Sequence, residues 1–189
     1  KADTIVFDKT GTLTYATPTV AAVVPFGGHD EAEMLRLAAC LEEHYPHSMA
    51  NAVVAEAKRH RLTHEEYHSQ VQYVVAHGIS SMVEGKKVII GSAHFVFEDE
   101  GSCIPEGEQA KFDTLPDAYS HLYLCMDGEL AAVICIHDPL RREAREAVKA
   151  LHESGFTNVV MMTGDNRRTA ETVATEVGMD AVYAEVLPE

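Results

Sequence analysis

Two short polar strings, each placed where an apolar run stops, hold residue types that could handle a phosphoryl group. The first follows Thr4-Ile5-Val6-Phe7 and reads Asp8-Lys9-Thr10-Gly11-Thr12. A carboxylate such as Asp8 can act as a nucleophile, because taking up a phosphoryl group as an acyl phosphate splits one difficult transfer into two easier ones. Gly11 would let the turn bring backbone N–H groups up to phosphate oxygens. The second string follows Val159-Val160-Met161-Met162 and reads Thr163-Gly164-Asp165-Asn166. Thr163 and Gly164 precede a helical pattern whose first amides could hold the same oxygens, and Asp165 could serve as an acid on the magnesium side. Asp138 ends a third apolar run. Each has a plainer reading in isolation: an Asp after a strand is most often a turn former, and Thr-Gly before a helix a cap.

Such residues act together only if strands and helices bring them together. In open α/β sheets ligands lie beyond the carboxyl ends of the strands, so the three strings are expected to converge. Ala144, Ala147, Val148 and Leu151 repeat at helical spacing up to Gly155, and Ala170, Val173, Ala174 and Val177 do so up to Gly178, with Ala181-Val182-Tyr183 as a further strand. The middle differs. Asp30 and Glu33 have capping-box spacing before the stripe Met34, Leu37, Ala38 and Leu41, and a second stripe of Ala50, Val53, Val54 and Ala57 predicts a helix from about Ser48, with Ser48 available as its cap. Val71, Tyr73 and Val75 alternate with polar residues, Val88-Ile89-Ile90 follows a turn at Glu84-Gly85, and Asp127-Gly128 signals a hairpin between 122–126 and 129–136. Residues 98–117, with Gly101, Pro105, Gly107 and Pro116, read as loop with one short helix. The outline is an α/β unit of residues 1–17 and 137–189, interrupted by an α+β unit of residues 18–136 on an antiparallel sheet.

Composition narrows the function. A formal net charge of −15 over 189 residues argues against a nucleic-acid or anionic-membrane partner, so an anionic nucleotide would need a local site. No apolar run approaches the roughly 20 residues that cross a bilayer, and no signal peptide opens the chain, so any membrane part is expected elsewhere. Cys40, Cys103, Cys125 and Cys135 lack C-x-x-C spacing and read as reduced thiols. His44 and His47 could share a helical face as metal ligands, but without a companion Cys a structural or nucleotide role is the better expectation.

The string Asp8-Lys9-Thr10-Gly11-Thr12-Leu13-Thr14 matches the phosphorylation signature of P-type ATPases, a branch of the haloacid dehalogenase superfamily, at every position. Thr163-Gly164-Asp165-Asn166 resembles the T-G-D-N motif of the same family, and Asp138-Pro139-Leu140-Arg141 its D-P-x-R segment. The resemblance implies a haloacid dehalogenase-like parallel sheet with helices on both faces and an inserted α+β nucleotide-binding domain. It implies that Asp8 is phosphorylated by ATP, that Thr10 helps place Mg2+ and phosphate beside Asp8 and Lys9, that Thr163 and Gly164 hold the phosphate, and that Asp165 lies near the nucleotide. Glu42 and His47, followed by Ala50 and Ala52, have the spacing of the heavy-metal (class IB) branch, and Gly78-Ile79 fits the end of its glycine segment. By that resemblance Glu42 contacts the adenine, His47 orients it, and Gly78 and Ile79 border it. The sequence departs from the pattern at Ser48, Ala76 and Ser92, which puts the affinity for ATP in question. Thr10 stands where simple phosphatases of the superfamily carry an acid, which favours a lasting phosphoenzyme.

The resemblance therefore implies the cytosolic ATP- and ADP-binding region of an integral membrane pump for a heavy or transition-metal cation, monomeric by itself and working with transmembrane and actuator domains. A soluble phosphatase with a cap, or a non-catalytic nucleotide-binding module, are the alternatives. A Lys and a G-D-G-x-N-D segment that the family places after residue 189 are not found, so a finished magnesium site and steady-state turnover are not expected of these residues.

Overall fold

The computed structural model describes residues 2–62 and 78–186, and the backbone of 68–74. Ala76, Val75 and the last three residues lie outside the described residues, and with them the departure expected at Ala76. Two sheets organise the chain. Strands β1 (Thr4–Asp8), β8 (Asn158–Met162) and β9 (Ala181–Tyr183) form a parallel sheet in the order β1-β8-β9. Between β1 and β8 run β2 (Thr19–Pro25), β3 (His68–Val74), β4 (Gly78–Val83), β5 (Lys86–Gly91), β6 (Ser120–Met126) and β7 (Glu129–His137). They form an antiparallel sheet in the order β2-β7-β6-β5-β4-β3.

The hairpin expected at Asp127-Gly128 is present, with φ of 47° and 82° at the two residues, the left-handed pair that a two-residue turn between twisted strands requires. Alternation along β6 sends Leu122 and Leu124 to one face and Tyr123 and Cys125 to the other. Helices α1 (Glu31–Glu42) and α2 (Ser48–Arg59) cover the first face through Met34, Leu41 and Val53. Asp30 caps α1 by accepting from the Glu33 amide at 3.0 Å, as its capping-box spacing predicts. The cap of α2 is different from the one expected: His47 Nδ1, not Ser48, accepts from the Ala50 amide at 3.3 Å, and Ser48 is already the first helical residue.

The segment least readable in sequence covers the second face. A wide turn at His94–Asp99 and the one-turn helix α3 (Gln109–Asp113) bring Phe95, Phe97 and Phe112 onto Phe26 and Tyr123, with Phe97 and Tyr123 ring centroids 5.4 Å apart edge to face. β2, which has no strong pattern of its own, adds to the edge of the sheet beside β7 and tolerates Pro25 there. Burial pushes the thiols of Cys125 and Cys135 up to about 12 and about 11, and none of the four cysteines forms a disulfide.

Around the parallel sheet, α4 (Ala144–Glu153) and α5 (Arg167–Val177) follow the two expected stripes. Ala144, Ala170, Val173 and Val177 pack with Met161, Phe7 and Val182, while the alternate strand positions Val6, Met162 and Tyr183 are exposed. Among the described residues no helix is long and apolar enough to cross a membrane.

Candidate functional site

Parallel pairing of β1 with β8 places Asp8 opposite Met162, so the loops that begin at Lys9 and at Thr163 leave the same end of the sheet side by side. Lys9–Leu13 forms a wide turn in which the Thr14 amide donates to the Lys9 carbonyl at 3.2 Å and Gly11 takes φ 80°. That φ is why glycine is needed, since a Cβ is disfavoured there. The Gly11 amide donates inward to Thr14 Oγ1 at 3.0 Å, so it serves the loop before it could serve a phosphate. Asp138-Pro139-Leu140-Arg141 lies against this turn: the Arg141 amide donates to the Leu13 carbonyl at 2.8 Å and its Nε to the Thr12 carbonyl at 3.0 Å.

Asp8 and Thr10 are exposed, whereas Lys9 between them is turned inward and 5% exposed. Its ammonium donates to Asp165 Oδ2 at 2.5 Å and to Ser120 Oγ at 3.1 Å. A buried ammonium needs such a partner, and the pair is close to neutral as a unit. Thr163 is buried, and its Oγ1 accepts from the Asp165 amide at 3.1 Å. Helix α5 starts only at Arg167, and Asn166 caps it by accepting from the Thr169 amide at 2.9 Å. The amides expected to face phosphate are thus partly engaged within the loop.

At the end of α1, Glu42 is 2% exposed, and among the described residues its Oε2 has no hydrogen-bond partner. His47 Nε2 approaches that oxygen to 3.2 Å without hydrogen-bond geometry. The His47 ring accepts at Nδ1 from the Ala50 amide, so in the neutral ring the proton sits on Nε2, where it is not aligned to donate to Glu42. A buried carboxylate oxygen without a donor is unfavourable by roughly 1–3 kcal/mol, which makes this a place where a ligand's N–H would be welcome. Gly78 begins β4, and a Cβ there would stand 2.4 Å from the Ile90 carbonyl oxygen and 2.5 Å from Phe95 Cδ1. Sheet packing by itself therefore requires glycine at this position.

A single cavity of about 410 Å3 joins these two regions. Glu42, His47, Gly78 and Ile79 line one end, and Lys9, Thr10, Thr163, Gly164 and Asp165 the other. Asp8 is not among the lining residues, although both of its successors are. Ser120, His121 and Asp138 lie along the cavity, and one oxygen of Asp138 is buried with no hydrogen-bond partner among the described residues. Asp138 directly follows a strand, as expected, but that strand is β7 of the antiparallel sheet, so the convergence involves both sheets. Ser120 and His121 carry no motif; their only sequence signal is a pair of polar residues at the start of an alternating strand. Burial pushes the His121 imidazole below its ordinary value, and burial raises the Tyr123 phenol, so both are neutral at pH 7.

No group of three or more His, Cys, Asp or Glu among the described residues could hold a metal. Asp8 and Thr10 offer two oxygen donors, and the Asp165 carboxylate is taken by Lys9, so these residues do not make a resident six-oxygen magnesium site.

Comparison with known proteins agrees with the sequence resemblance. The chain is 36% identical over its full length to a silver exporting P-type ATPase of Salmonella typhimurium and covers 23% of that protein. It spans less than a quarter of the length of such curated relatives. Among solved structures, a zinc-transporting PIB-type ATPase in the E2.Pi state is 30% identical, with a TM-score of 0.60, 100% of this chain covered and 30% of that one. The catalytic domain of the CPx-ATPase CopB-B shares the fold at a TM-score of 0.72 and 22% identity, covering 98% of this chain and 62% of that one. The haloacid dehalogenase-like hydrolase model matches residues 2–189, and with Asp8 and Thr163 leaving adjacent parallel strands as that fold requires, this chain belongs to the haloacid dehalogenase-like hydrolase family.

Proposed function

We propose that this chain is the ATP-handling, cytosolic region of a P-type ATPase that moves a heavy or transition-metal cation, and that Asp8 accepts the phosphoryl group. The supporting observation is the shared cavity, which runs from the open acceptor on Glu42 to the loops beside Asp8. On this reading residues 18–136 bind the nucleotide, and residues 1–17 with 137–189 form the phosphorylation unit. The adenine amino group donates to Glu42 Oε2, His47 holds the base, and Gly78 and Ile79 form its floor. The triphosphate extends past Ser120 towards Lys9, Thr10 and Thr163.

An Asp8 oxygen then attacks the γ-phosphorus in line. The new O–P bond makes an aspartyl phosphate, the bond to the bridging oxygen breaks, and ADP leaves. Because Lys9 is paired with Asp165, it contributes a local dipole more than a free positive charge, and the repulsion between Asp8 and the γ-phosphate must be offset mainly by the Mg2+ that arrives with ATP. The relatives include a silver exporter and a zinc transporter, which supports a metal-cation cargo without selecting the metal. The cargo site, the transmembrane partner and the actuator partner belong to this proposal.

Titration calorimetry with ATP and AMP tests it. Both nucleotides are expected to bind, and His47→Ala is expected to weaken both by about 1–2 kcal/mol. Absence of binding to the unaltered chain would sink the nucleotide reading. Release of phosphate from small phosphomonoesters, with no response to ATP, would instead favour a soluble phosphatase.

A further inference from the structure

Among the described residues, the stretch from α3 to the start of β6 hydrogen-bonds to the phosphorylation loops and the first turn of α5. Lys9 Nζ donates to Ser120 Oγ at 3.1 Å. Asn166 Nδ2 lies 3.3 Å from both His121 Nδ1 and the Tyr123 hydroxyl. Thr169 Oγ1 donates to the Tyr119 carbonyl at 3.2 Å, and Arg168 donates to the Asp113 carbonyl at 2.7 Å while pairing with Asp117. Of these contacts, the one made by Ser120 falls on a charged group inside the cavity, and both Ser120 and Lys9 are nearly buried.

The hydrogen-bond chemistry of this contact is directional. Ser120 Oγ must accept from the ammonium, because an ammonium has no lone pair, so the hydroxyl keeps its own proton to donate. A phosphate oxygen in the cavity is a suitable acceptor. Asp165 and Ser120 approach the Lys9 ammonium from different units of the chain: Asp165 follows β8, Ser120 opens β6. With Ser120 withdrawn, Lys9 would keep its carboxylate but lose the acceptor that fixes the head group's orientation, and water would take that place.

We propose that Ser120 is a positioning residue for phosphate recognition: it is supplied by the nucleotide-side unit, orients Lys9 against Asp165, and does so only when the two units are closed on one another. Closure of the units and preparation of the phosphate end are thereby one event, linked through the Ser120–Lys9 hydrogen bond. The inference rests on the nucleotide reading above and deepens it, because it concerns the terminal phosphates and not the base.

The test compares AMP with a non-hydrolysable ATP analogue carrying Mg2+, on the unaltered chain, Ser120→Ala and Ser120→Thr. AMP affinity is expected to stay within about twofold throughout, while the ATP analogue weakens about tenfold in Ser120→Ala and recovers in Ser120→Thr, the scale of a hydrogen bond to a charged group. Equal losses for both nucleotides would make Ser120 merely structural and overturn the proposal, as would no loss for either. Ser120→Thr also serves if Ser120→Ala does not fold. The side-chain ammonium resonance of Lys9, assigned by its disappearance in Lys9→Arg, gives a readout that needs no nucleotide. It is expected to shift in Ser120→Ala, and an unmoved signal overturns the coupling. A shifted signal with no nucleotide bound to the unaltered chain shows that the reading beneath the proposal failed, and the phosphate role goes with it.

Discussion

The two ends of the cavity differ in how far their polar groups are already satisfied. At the phosphate end, Lys9 has Asp165 and Ser120, the Gly11 amide has Thr14, and the Asp165 amide has Thr163. At the base end, Glu42 keeps an acceptor to which nothing among the described residues donates, 3.2 Å from a histidine that is half exposed. One end is held in shape by its own hydrogen bonds, and the other is shaped by apolar packing around one unfilled acceptor. A preorganised end suits chemistry, where donors must not move during reaction, while an unfilled end suits reversible binding.

The sharpest break of this comparison is at Asp8. Replacement by Asn is expected to remove all acid-stable labelling from γ-labelled ATP, in this chain or a longer one that contains it, while AMP affinity stays within about twofold because the base end is untouched. Labelling that survives Asp8→Asn would move the acceptor elsewhere.

Gly78→Ala probes the apolar side of the base end. Its Cβ meets backbone at 2.4 Å, so the strand or Phe95 must move, and unfolding in urea is expected to show a loss of about 1–3 kcal/mol. An unchanged midpoint would show that the β4 to β5 pairing is looser than its register indicates. Glu42→Gln then addresses the acceptor itself. It keeps the shape and replaces the charge, and AMP binding is expected to weaken by about 1 kcal/mol or more, with unfolding stability unchanged or raised, since a buried unpaired charge has been removed. Tighter AMP binding would contradict the assigned role.

The smallest expected effect lies at the junction between the ends. His121 donates from Nε2 to the Pro116 carbonyl and faces Asn166, with Asp165, Asp117 and Arg168 as its charged neighbours. Burial lowers its folded pKa below the unfolded value of about 6.5, so between those two values the unfolded chain binds more protons and stability falls as pH falls. Thermal unfolding between pH 7 and 5 should therefore show a component that disappears in His121→Asn. A pH slope that is identical in the variant would remove His121 from the account.

How much of this could be read in advance varies by element. The Asp30 cap, the Asp127-Gly128 hairpin and the stripes of α4 and α5 were legible because each depends on neighbours a few residues away. The edge strand β2 and the cover of Phe95, Phe97 and Phe112 were not, because their burial comes from β7 and Tyr123, far along the chain. At the site, Asp8 and Thr163 stood out by type and by their place after an apolar run, whereas Glu42 and His47 stood out only through the family resemblance. That His47 and not Ser48 caps α2 depends on a ring rotamer that sequence does not encode locally.

By itself the sequence determined which residues could perform the chemistry: a carboxylate after a buried strand, a glycine in the turn that follows, and a Thr-Gly-Asp after a second strand. These are local matters of residue type and backbone freedom. Only the tertiary structure decided that Lys9 turns inward to Asp165 and Ser120, that Glu42 is buried with an open oxygen, and that one cavity connects the two ends. Those outcomes require residues more than a hundred positions apart to meet, as Lys9 and Ser120 do, and a charge is neutralised or left exposed to a ligand only by what packing sets beside it.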